Sequence, residues 1–192
     1  MPREAREEQI LDAATLEFGV RGYATGSVEQ VARSVGVSRA MVHAYFGSKD
    51  ELYLACLERA ARPLAAAITA AQDLADPPLL RGLVTIKAIL TTLEPRPHDW
   101  PMLWDPTVPD GAPVAAGVRA QRRSIAGLGV DGAAQALRDD GVEDQQDLAF
   151  VGHLWLDVVS SIVQWWLRHP DETAEAVGRR FERVLATLVD LR

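Results

Sequence analysis

Apolar residues recur at three- and four-residue intervals along most of the 192-residue chain, and no segment alternates strictly between apolar and polar positions. The first pattern is the period of an amphipathic α-helix, whereas the second would indicate a half-buried β-strand. Near the N-terminus Gly22 follows one apolar stripe and predicts the end of the first helix; the stripe consists of Ile10, Leu11, Ala14 and Phe18. We therefore predict an all-α fold, with three short helices followed by about six longer ones.

Helix starts are marked by serines in the N-terminal part of the chain. Ser27 and Gln30 have the spacing of a capping box, in which the serine side chain accepts from an early backbone N–H and the glutamine side chain reaches back. Ser38 is placed to cap a third helix, and Ser48 with Glu51 forms a second box that opens a fourth. These signals divide the first 50 residues into short helical elements.

The remaining pattern predicts longer helices around one proline-rich loop. Pro63 lies inside the fourth helix and removes one backbone hydrogen bond, so we expect a kink there. A fifth helix is predicted to start at Asp76, and residues 94–113 hold six of the eleven prolines, which predicts a loop with at most a short helical turn. An apolar helix covers roughly 144–168, and a final helix follows it.

Gly127, Gly129 and Gly132 formally match the G-x-G-x-x-G pattern of dinucleotide-binding loops. That pattern carries meaning only after a strand in a βαβ unit, and the preceding segment here is helical in pattern. We interpret these glycines as a kink or an interruption in a helix and expect no cofactor.

The segment 27–49 carries the clearest functional signal. Two short helices joined by a tight turn at Gly36, with the second helix capped by Ser38, are typical of a helix-turn-helix. Apolar residues can pack the helices together at Val31, Val35, Val37, Val42 and Phe46. This leaves a second set available to a DNA groove: Arg39, Ala40, Met41, His43 and Tyr45. The alternative is a three-helix packing unit whose polar residues only face water.

The net charge of the whole chain argues against nucleic-acid binding, but the charges are unevenly distributed along the chain. The whole sequence has 20 basic and 27 acidic residues, a formal net charge of −7, whereas DNA-binding domains usually leave a basic footprint. Residues 20–49, however, contain four basic residues and one acidic residue. Because the interaction with phosphates is local and screened by salt, this local excess outweighs the total.

Residues 8–57 resemble the DNA-binding region of the tetracycline-repressor (TetR) family of bacterial regulators. The resemblance is carried by Phe18, Gly22-Tyr23, Ser27, Val31-Ala32, Gly36-Val37-Ser38, Val42, Tyr45-Phe46, Ser48-Lys49 and Leu52. It implies an N-terminal three-helix helix-turn-helix DNA-binding domain at 1–48 and a larger helical effector-binding and dimerisation domain at 49–192. It further implies a homodimer formed through the last two helices, most often a repressor, that a small molecule releases from a palindromic operator on double-stranded DNA.

The resemblance also implies individual DNA contacts. Arg39, Ala40 and Met41 match the start of the family's recognition helix, and an arginine there can bind guanine O6 and N7. His43 stands where the family most often has tyrosine, a phosphate- or base-contacting position. The candidate DNA-binding residues are Ser27, Ser38, Arg39, Ala40, Met41, His43, Tyr45 and Lys49.

A polar stripe runs along the apolar helix 144–168. At 100° per residue, His153, Asp157, Ser160 and Gln164 fall within about 60°, and the residues roughly opposite are Trp155, Val158, Val159, Ile162 and Trp166. This pattern fits an effector pocket, where a few polar groups orient an apolar ligand. It fits equally a dimer interface or a solvated face.

Trp100 and Trp104 of the proline-rich segment are further effector-binding candidates, or they simply fill the core. Together with His153, Asp157 and Gln164 they make up the predicted effector-binding residues. Nothing in the chain identifies the ligand, and the tryptophans favour an apolar or aromatic compound.

Other classes of protein are disfavoured. Cys56 is the single cysteine, which excludes an intramolecular disulfide and fits an inert core residue, and residues 1–11 lack the apolar core of a signal peptide. His153 and Asp157 have no evident third metal ligand. We expect a cytoplasmic, metal-free regulator that is not an enzyme and does not bind a membrane; the rival functions are a helical adaptor without DNA binding and, less favoured, a helical enzyme.

Overall fold

The computed structural model of the chain describes residues 2–74 and 78–189, with all their side chains except those of residues 74, 78, 79, 188 and 189. Throughout these ranges the chain folds into helices joined by turns, with no strand, which confirms the all-α prediction. The helices are α1 Arg3–Thr25, α2 Val28–Ser34, α3 Arg39–Phe46, α4 Lys49–Leu74, α5 Pro78–Leu93, α6 Asp99–Leu103, α7 Ala115–Asp139, α8 Gln145–Leu167 and α9 Ala174–Val189.

The chain divides into two compact units. Unit 1 comprises residues 1–62 and 97–123, and unit 2 comprises residues 63–96 and 124–192. The division within α4 falls at Pro63, which cannot donate a backbone hydrogen bond. Unit 1 therefore holds the helix-turn-helix together with the start of α4 and most of the proline-rich segment, whereas the functional division predicted at residue 48 was drawn from the motif alone.

Unit 1 is built around α1. The apolar stripe of α1 predicted from the sequence is buried, and Val31, Val42 and Leu52 join it from α2, α3 and α4. Cys56 is buried in the same core, as predicted, and burial raises the pKa of its thiol to about 12. The short helix α6 packs against α1. A thiol in such surroundings is an inert apolar group.

Gly22 interrupts α1 rather than ending it. Its φ of 74° and ψ of 168° break the helical geometry, and one more turn follows to Thr25 before Gly26 ends the helix. A positive φ is available to glycine without the strain that a Cβ would add. The prediction of a stop at Gly22 was therefore right about the break in the backbone and wrong about where the helix ends.

Each of the two predicted capping boxes forms only one of its two predicted hydrogen bonds. Ser27 and Ser48 accept the backbone N–H of the third residue that follows, as predicted. The return bonds were predicted wrongly, because the Ser27 N–H donates to the Glu17 carboxylate at 3.1 Å and the Gln30 side chain accepts from Arg33 instead. A tertiary contact from α1 has taken the place of a local one.

Unit 2 packs α9 against α5 and α8. Helix α7 is continuous over Ala115–Asp139, so the predicted interruption at its glycines does not occur. A Cβ on Gly129 would lie 2.9 Å from Trp155 Nε1, and one on Gly132 would overlap the Gln72 side chain. These glycines serve close packing between helices, which the sequence pattern alone could not distinguish from a break.

Several boundaries match the prediction closely. The proline-rich segment contains α6, one helix of five residues, and is otherwise irregular. Helix α8 starts after Asp144, whose carboxylate accepts the N–H groups of Gln146 and Asp147. The predicted start of the fifth helix at Asp76 lies outside the described residues.

Candidate nucleic-acid interface

Helices α2 and α3 form the predicted helix-turn-helix. The turn passes through Gly36 at a φ of 69°, and the Val37 N–H donates to the Ala32 carbonyl at 2.9 Å. Ser38 caps α3 by accepting the Met41 N–H at 3.1 Å. Val31 and Val42 are buried between the helices, while the other apolar residues predicted to pack there, Val35, Val37 and Phe46, are half-buried.

The first turn of α3 presents its side chains to solvent. Arg39 and Ala40 are exposed, and Met41 keeps 43% of its surface accessible although it is a large apolar residue. The next residue, Val42, points the other way into the core. This is the face that the sequence predicts for contact with DNA, and it projects away from the packing of unit 1.

His43 is bonded on both ring nitrogens. Its Nε2 lies 3.1 Å from Nε of Arg39, which donates to it, and its Nδ1 lies 2.7 Å from the carbonyl oxygen of Gly47. Both contacts join residues four apart, which the helical period permits, but the spacing by itself did not predict them. They connect two of the predicted DNA-binding residues directly.

Tyr45 and Lys49 each take part in a cation–π contact. The guanidinium of Arg3 lies 5.3 Å from the centre of the Tyr45 ring, and the ammonium of Lys49 lies 4.6 Å from that of Tyr23. Burial lowers the pKa of Lys49, while the nearby carboxylates of Asp50 and Glu17 act in the opposite direction. Lys49 is thus held beside an aromatic ring in the first turn of α4.

A buried carboxylate fixes the end of α1 next to Lys49. Asp105, which is 3% exposed, accepts the N–H of Tyr23 that the break at Gly22 frees, and also the hydroxyl of Tyr53 at 3.1 Å. Thr107 donates its N–H to the same carboxylate and accepts the Ala24 N–H. We call these residues the Asp105 junction. No local sequence signal could have found it, because 82 positions separate Tyr23 from Asp105.

The Tyr23 side chain connects the Asp105 junction to α4. Its hydroxyl donates a short hydrogen bond to Asp50, while its ring supports the Lys49 ammonium. Burial first, and then this bond to the Asp50 carboxylate, raise the pKa of Tyr23 to about 12. The phenol therefore stays protonated and remains a donor at physiological pH.

Most acidic side chains of α1 are paired with other groups of unit 1. Arg59 of α4 is buried and donates to Glu8 at 3.1 Å and to Asp12 at 2.7 Å. Glu17 accepts from Ser27 and lies 3.5 Å from Arg21. Because these carboxylates are paired, the acidic count of α1 overstates the negative field near the helix-turn-helix.

The predicted effector-binding residues are distributed over both units. Trp100 is buried and Trp104 half-buried in unit 1, with ring centres 5.7 Å apart. The buried indole N–H of Trp104 has no hydrogen-bond partner among the described residues. His153, Asp157 and Gln164 are exposed on α8 of unit 2. The two groups thus differ sharply in their access to solvent.

The exposed face of α8 combines polar and apolar side chains. His153 and Asp157 have side chains 74% and 70% exposed, with 3.7 Å between Nε2 and Oδ2. Apolar neighbours share this face: Phe150, 62% exposed, Leu154, 45% exposed, and Val158. Val158, predicted to lie roughly opposite the polar stripe, is thus exposed to solvent as well. We call these five residues, with Ser161 and Gln164, the α8 face.

Among the described side chains, no group of three histidine, cysteine, aspartate or glutamate residues is arranged to hold a metal ion. The pair of His153 and Asp157 is therefore a surface contact between neighbouring turns of one helix.

Comparison with known proteins agrees with this geometry. Residues 10–56 match the family model for bacterial regulatory proteins of the tetR family. The regulator BetI of Brucella canis is 40% identical over 73 residues, 38% of this chain and 37% of BetI. The transcriptional activator FasR of Mycolicibacterium smegmatis is 42% identical over 59 residues, 31% of this chain and 27% of FasR. The aligned part thus spans little more than a third of BetI and about a quarter of FasR.

The whole chain shares its fold with a solved structure. A TetR-like transcriptional regulator from Rhodococcus sp. RHA1 superposes with a TM-score of 0.72 over 97% of this chain and 98% of that one, at 23% identity. At such identity the likeness establishes the fold, while the sequence relationship rests on the N-terminal region. The sequence-matched relatives carry the names of transcriptional regulators rather than enzymes. Through its helix-turn-helix region, residues 10–56, the chain is similar to the tetR family of bacterial regulatory proteins.

Proposed function

We propose that this protein is a homodimeric transcriptional regulator that binds a palindromic DNA operator and is released from it by a small-molecule effector. The observation that supports this most directly is the capped helix α3, whose first turn exposes Arg39, Ala40 and Met41 while Val42 anchors it to the core. An exposed helix held rigidly by its opposite face is the element that enters a major groove.

Base and phosphate contacts divide between two sets of residues in this proposal. Arg39 reads a base edge, and Ala40 and Met41 contact the groove beside it, where apolar side chains can meet thymine methyl groups. Ser27, Ser38, Tyr45 and Lys49 lie at or near helix N-termini or the end of α3, where they meet phosphates. The functional boundary at residue 48 places all of these contacts except Lys49 in the DNA-binding part of the chain.

The second copy of this chain is the proposed occupant of the α8 face. Phe150, Leu154 and Val158 form an apolar ridge at four-residue spacing, and His153 and Asp157 flank it with opposite charge when the imidazole is protonated. A two-fold interface needs a self-complementary patch. Such a ridge can pack on its symmetry mate while each His153 meets the partner subunit's Asp157, with α9 contributing the exposed Val184.

The effector site is proposed at Trp100 and Trp104. The indole N–H of Trp104 is buried without a partner, and a buried donor costs free energy until an acceptor satisfies it. An apolar or aromatic compound with one hydrogen-bond acceptor would stack on the paired rings and accept from this donor. The exposure of His153, Asp157 and Gln164 favours the interface role for them over a pocket within the subunit.

The proposed location is the cytoplasm. Among the described helices, α8 is long and apolar enough to cross a membrane, with a mean hydropathy of 1.3 over its most apolar window. Its composition would equally suit a helix that packs on a partner subunit, and an Asp and a His on its exposed face would be costly in lipid. Cell fractionation distinguishes the two locations. A cytoplasmic protein should be found in the soluble fraction, whereas a protein that spans the membrane should stay in the membrane fraction after a mild salt wash.

The test of DNA binding is a fluorescence-anisotropy titration with the promoter fragment upstream of the protein's own gene, at several salt concentrations. We expect the affinity to fall steeply with salt, because phosphate contacts release counterions. Lys49→Glu should weaken binding to all sequences about equally and make the salt dependence shallower. Arg138→Glu, the same charge reversal at an exposed site of unit 2, is the matched control. Salt-independent or absent binding would instead favour a helical adaptor.

Repression is the proposed direction of regulation. A reporter fused to the bound promoter should become more active when the regulator is deleted. A fall in reporter activity would place the protein with activators such as its relative FasR.

A further inference from the structure

The side chains of Arg39 and His43 meet on the exposed face of α3. Arg39 Nε donates to His43 Nε2 at 3.1 Å, and His43 Nδ1 lies 2.7 Å from the Gly47 carbonyl oxygen. Four residues separate each pair, one helical turn, so the backbone of α3 keeps the three groups in line. His43 thereby joins a side chain in the first turn of the helix to the backbone at its end.

The two contacts together define which ring nitrogen of His43 carries the proton. A carbonyl oxygen only accepts, so His43 Nδ1 must carry the proton, and the arginine Nε only donates, so Nε2 must be the unprotonated nitrogen. His43 is then neutral, with each ring nitrogen used once. Because both nitrogens already have partners within the protein, the ring is not free to contact a phosphate itself.

The contact also selects which edge of Arg39 is available. With Nε committed to His43, the terminal Nη1 and Nη2 groups point outward, and neither has a partner in the part of the chain that the structure describes. Two parallel N–H groups on this edge match the adjacent acceptors O6 and N7 of guanine. An arginine held in this way also loses less conformational freedom on binding DNA.

We propose that His43 is a positioning residue for base recognition, which holds Arg39 so that its terminal edge reads a guanine in each half-site. The inference rests on the proposed DNA-binding function and deepens it. His43 acts through Arg39 rather than through a contact of its own, a different role from that of the tyrosine at this position in the family the chain resembles.

Two isosteric substitutions separate the bonds of His43. His43→Gln places an amide oxygen near the position of Nε2 and can still accept from Arg39, while losing the donor to Gly47. His43→Asn places an amide N–H near Nδ1 and can still donate to Gly47, while losing the acceptor for Arg39. If the ring only stabilises the end of α3, Asn is the better replacement; if it positions Arg39, Gln is.

The experiment selects binding sites from a random double-stranded DNA library with the full-length wild-type protein. The selected site and its three single-base variants at each half-site position are then titrated with wild type, Arg39→Ala, His43→Gln and His43→Asn. We expect the wild type to prefer guanine about 10-fold at one position of the half-site. Arg39→Ala should abolish this preference, His43→Asn should reduce it below about 3-fold, and His43→Gln should retain most of it.

The possible results distinguish a failure of the positioning role of His43 from a failure of the proposed DNA binding. If the wild type selects a site and His43→Asn keeps the guanine preference, or if His43→Gln loses it while Asn retains it, the positioning role is overturned and DNA binding stands. If the wild type enriches no sequence and binds no DNA, both are overturned. Circular dichroism of each variant shows whether helix content is unchanged, so that a loss confined to one base position cannot come from unfolding.

Discussion

The Asp105 junction of unit 1 and the α8 face of unit 2 treat their polar and apolar groups in opposite ways. In the junction, a nearly inaccessible carboxylate has donors on both oxygens, all from the same chain. On the α8 face, large apolar side chains such as Phe150 lie in solvent beside an exposed ion pair. The first region has its hydrogen bonds satisfied within one chain, whereas the second leaves large apolar side chains exposed to solvent.

This difference indicates where each region acts. A satisfied, buried polar network holds neighbouring elements in one arrangement, and the junction holds the end of α1 beside Lys49. An exposed apolar ridge is costly unless it is covered in the working molecule. This difference supports the proposals that unit 1 provides a fixed reading surface for DNA and that the α8 face is a dimer interface.

The largest expected effect comes from placing charge on the α8 face. Phe150→Asp combined with Leu154→Asp should abolish dimerisation, because two desolvated carboxylates per subunit would meet their symmetry mates. Size-exclusion chromatography with light scattering measures the mass. Leu80→Asp, at an exposed leucine outside α8, is the control and should leave the dimer intact. A double variant that remains dimeric would remove the α8 face from the interface.

Removal of the buried carboxylate should follow in size. Asp105→Ala deprives the Tyr23 N–H and the Thr107 N–H of their acceptor, and should lower the free energy of unfolding by at least about 1.5–3 kcal/mol, the usual range for one hydrogen bond to a charged group. Urea titration followed by circular dichroism measures it. Asp110→Ala, an exposed aspartate of the same segment, should change it little; equal effects of the two variants would contradict the junction.

A single bond of the junction should contribute less. Tyr53→Phe removes one donor to Asp105 and leaves the ring packed between Phe18 and Tyr23, each with its ring centre 5.1 Å away. We expect a loss of about 0.5–1.5 kcal/mol in the same urea titration. A loss as large as that of Asp105→Ala would mean that the Tyr53 hydroxyl, rather than the capping of α1, dominates the junction.

The smallest effect is expected at an exposed ion pair of unit 2. Glu182→Gln removes the partner of Lys87, 2.7 Å away, where both side chains are largely in solvent. Such pairs contribute up to about 1 kcal/mol and are screened by salt. The shift in the urea midpoint should be small and should vanish at high salt. A large, salt-independent loss would place this pair with the buried network rather than with the surface.

Local patterns predicted the elements of both units well. The apolar stripe of α1, the serine caps at Ser27, Ser38 and Ser48, and the proline-rich segment each lie where the sequence indicated, because periodicity and capping depend on neighbours within one or two turns. The predicted return bond to the Ser27 N–H does not form, because a contact outside this local range replaces it. Glu17 is ten positions from Ser27, and a tertiary acceptor displaced the local one.

The candidate site was predicted as a set of residues but not as an arrangement. Arg39 and His43 were both named from their positions, yet the hydrogen bond between them depends on side-chain rotamers that a one-dimensional pattern does not specify. Similarly, the angular position of Val158 on α8 was predicted from the helical period, but the period does not specify whether that position is buried. Its exposure depends on which neighbours cover α8 within the subunit.

By itself, the sequence determined the helical fold, the helix-turn-helix and its family, and the local basic excess that makes DNA contact plausible despite a net charge of −7. These follow from interactions over three or four residues, which the order of amino acids fixes directly. Only the tertiary structure decided that Asp105 caps the broken end of α1, that Gly129 and Gly132 of α7 serve packing, and that α8 exposes an apolar ridge. Each of these depends on groups brought together from distant parts of the chain, and burial is a property of that whole arrangement.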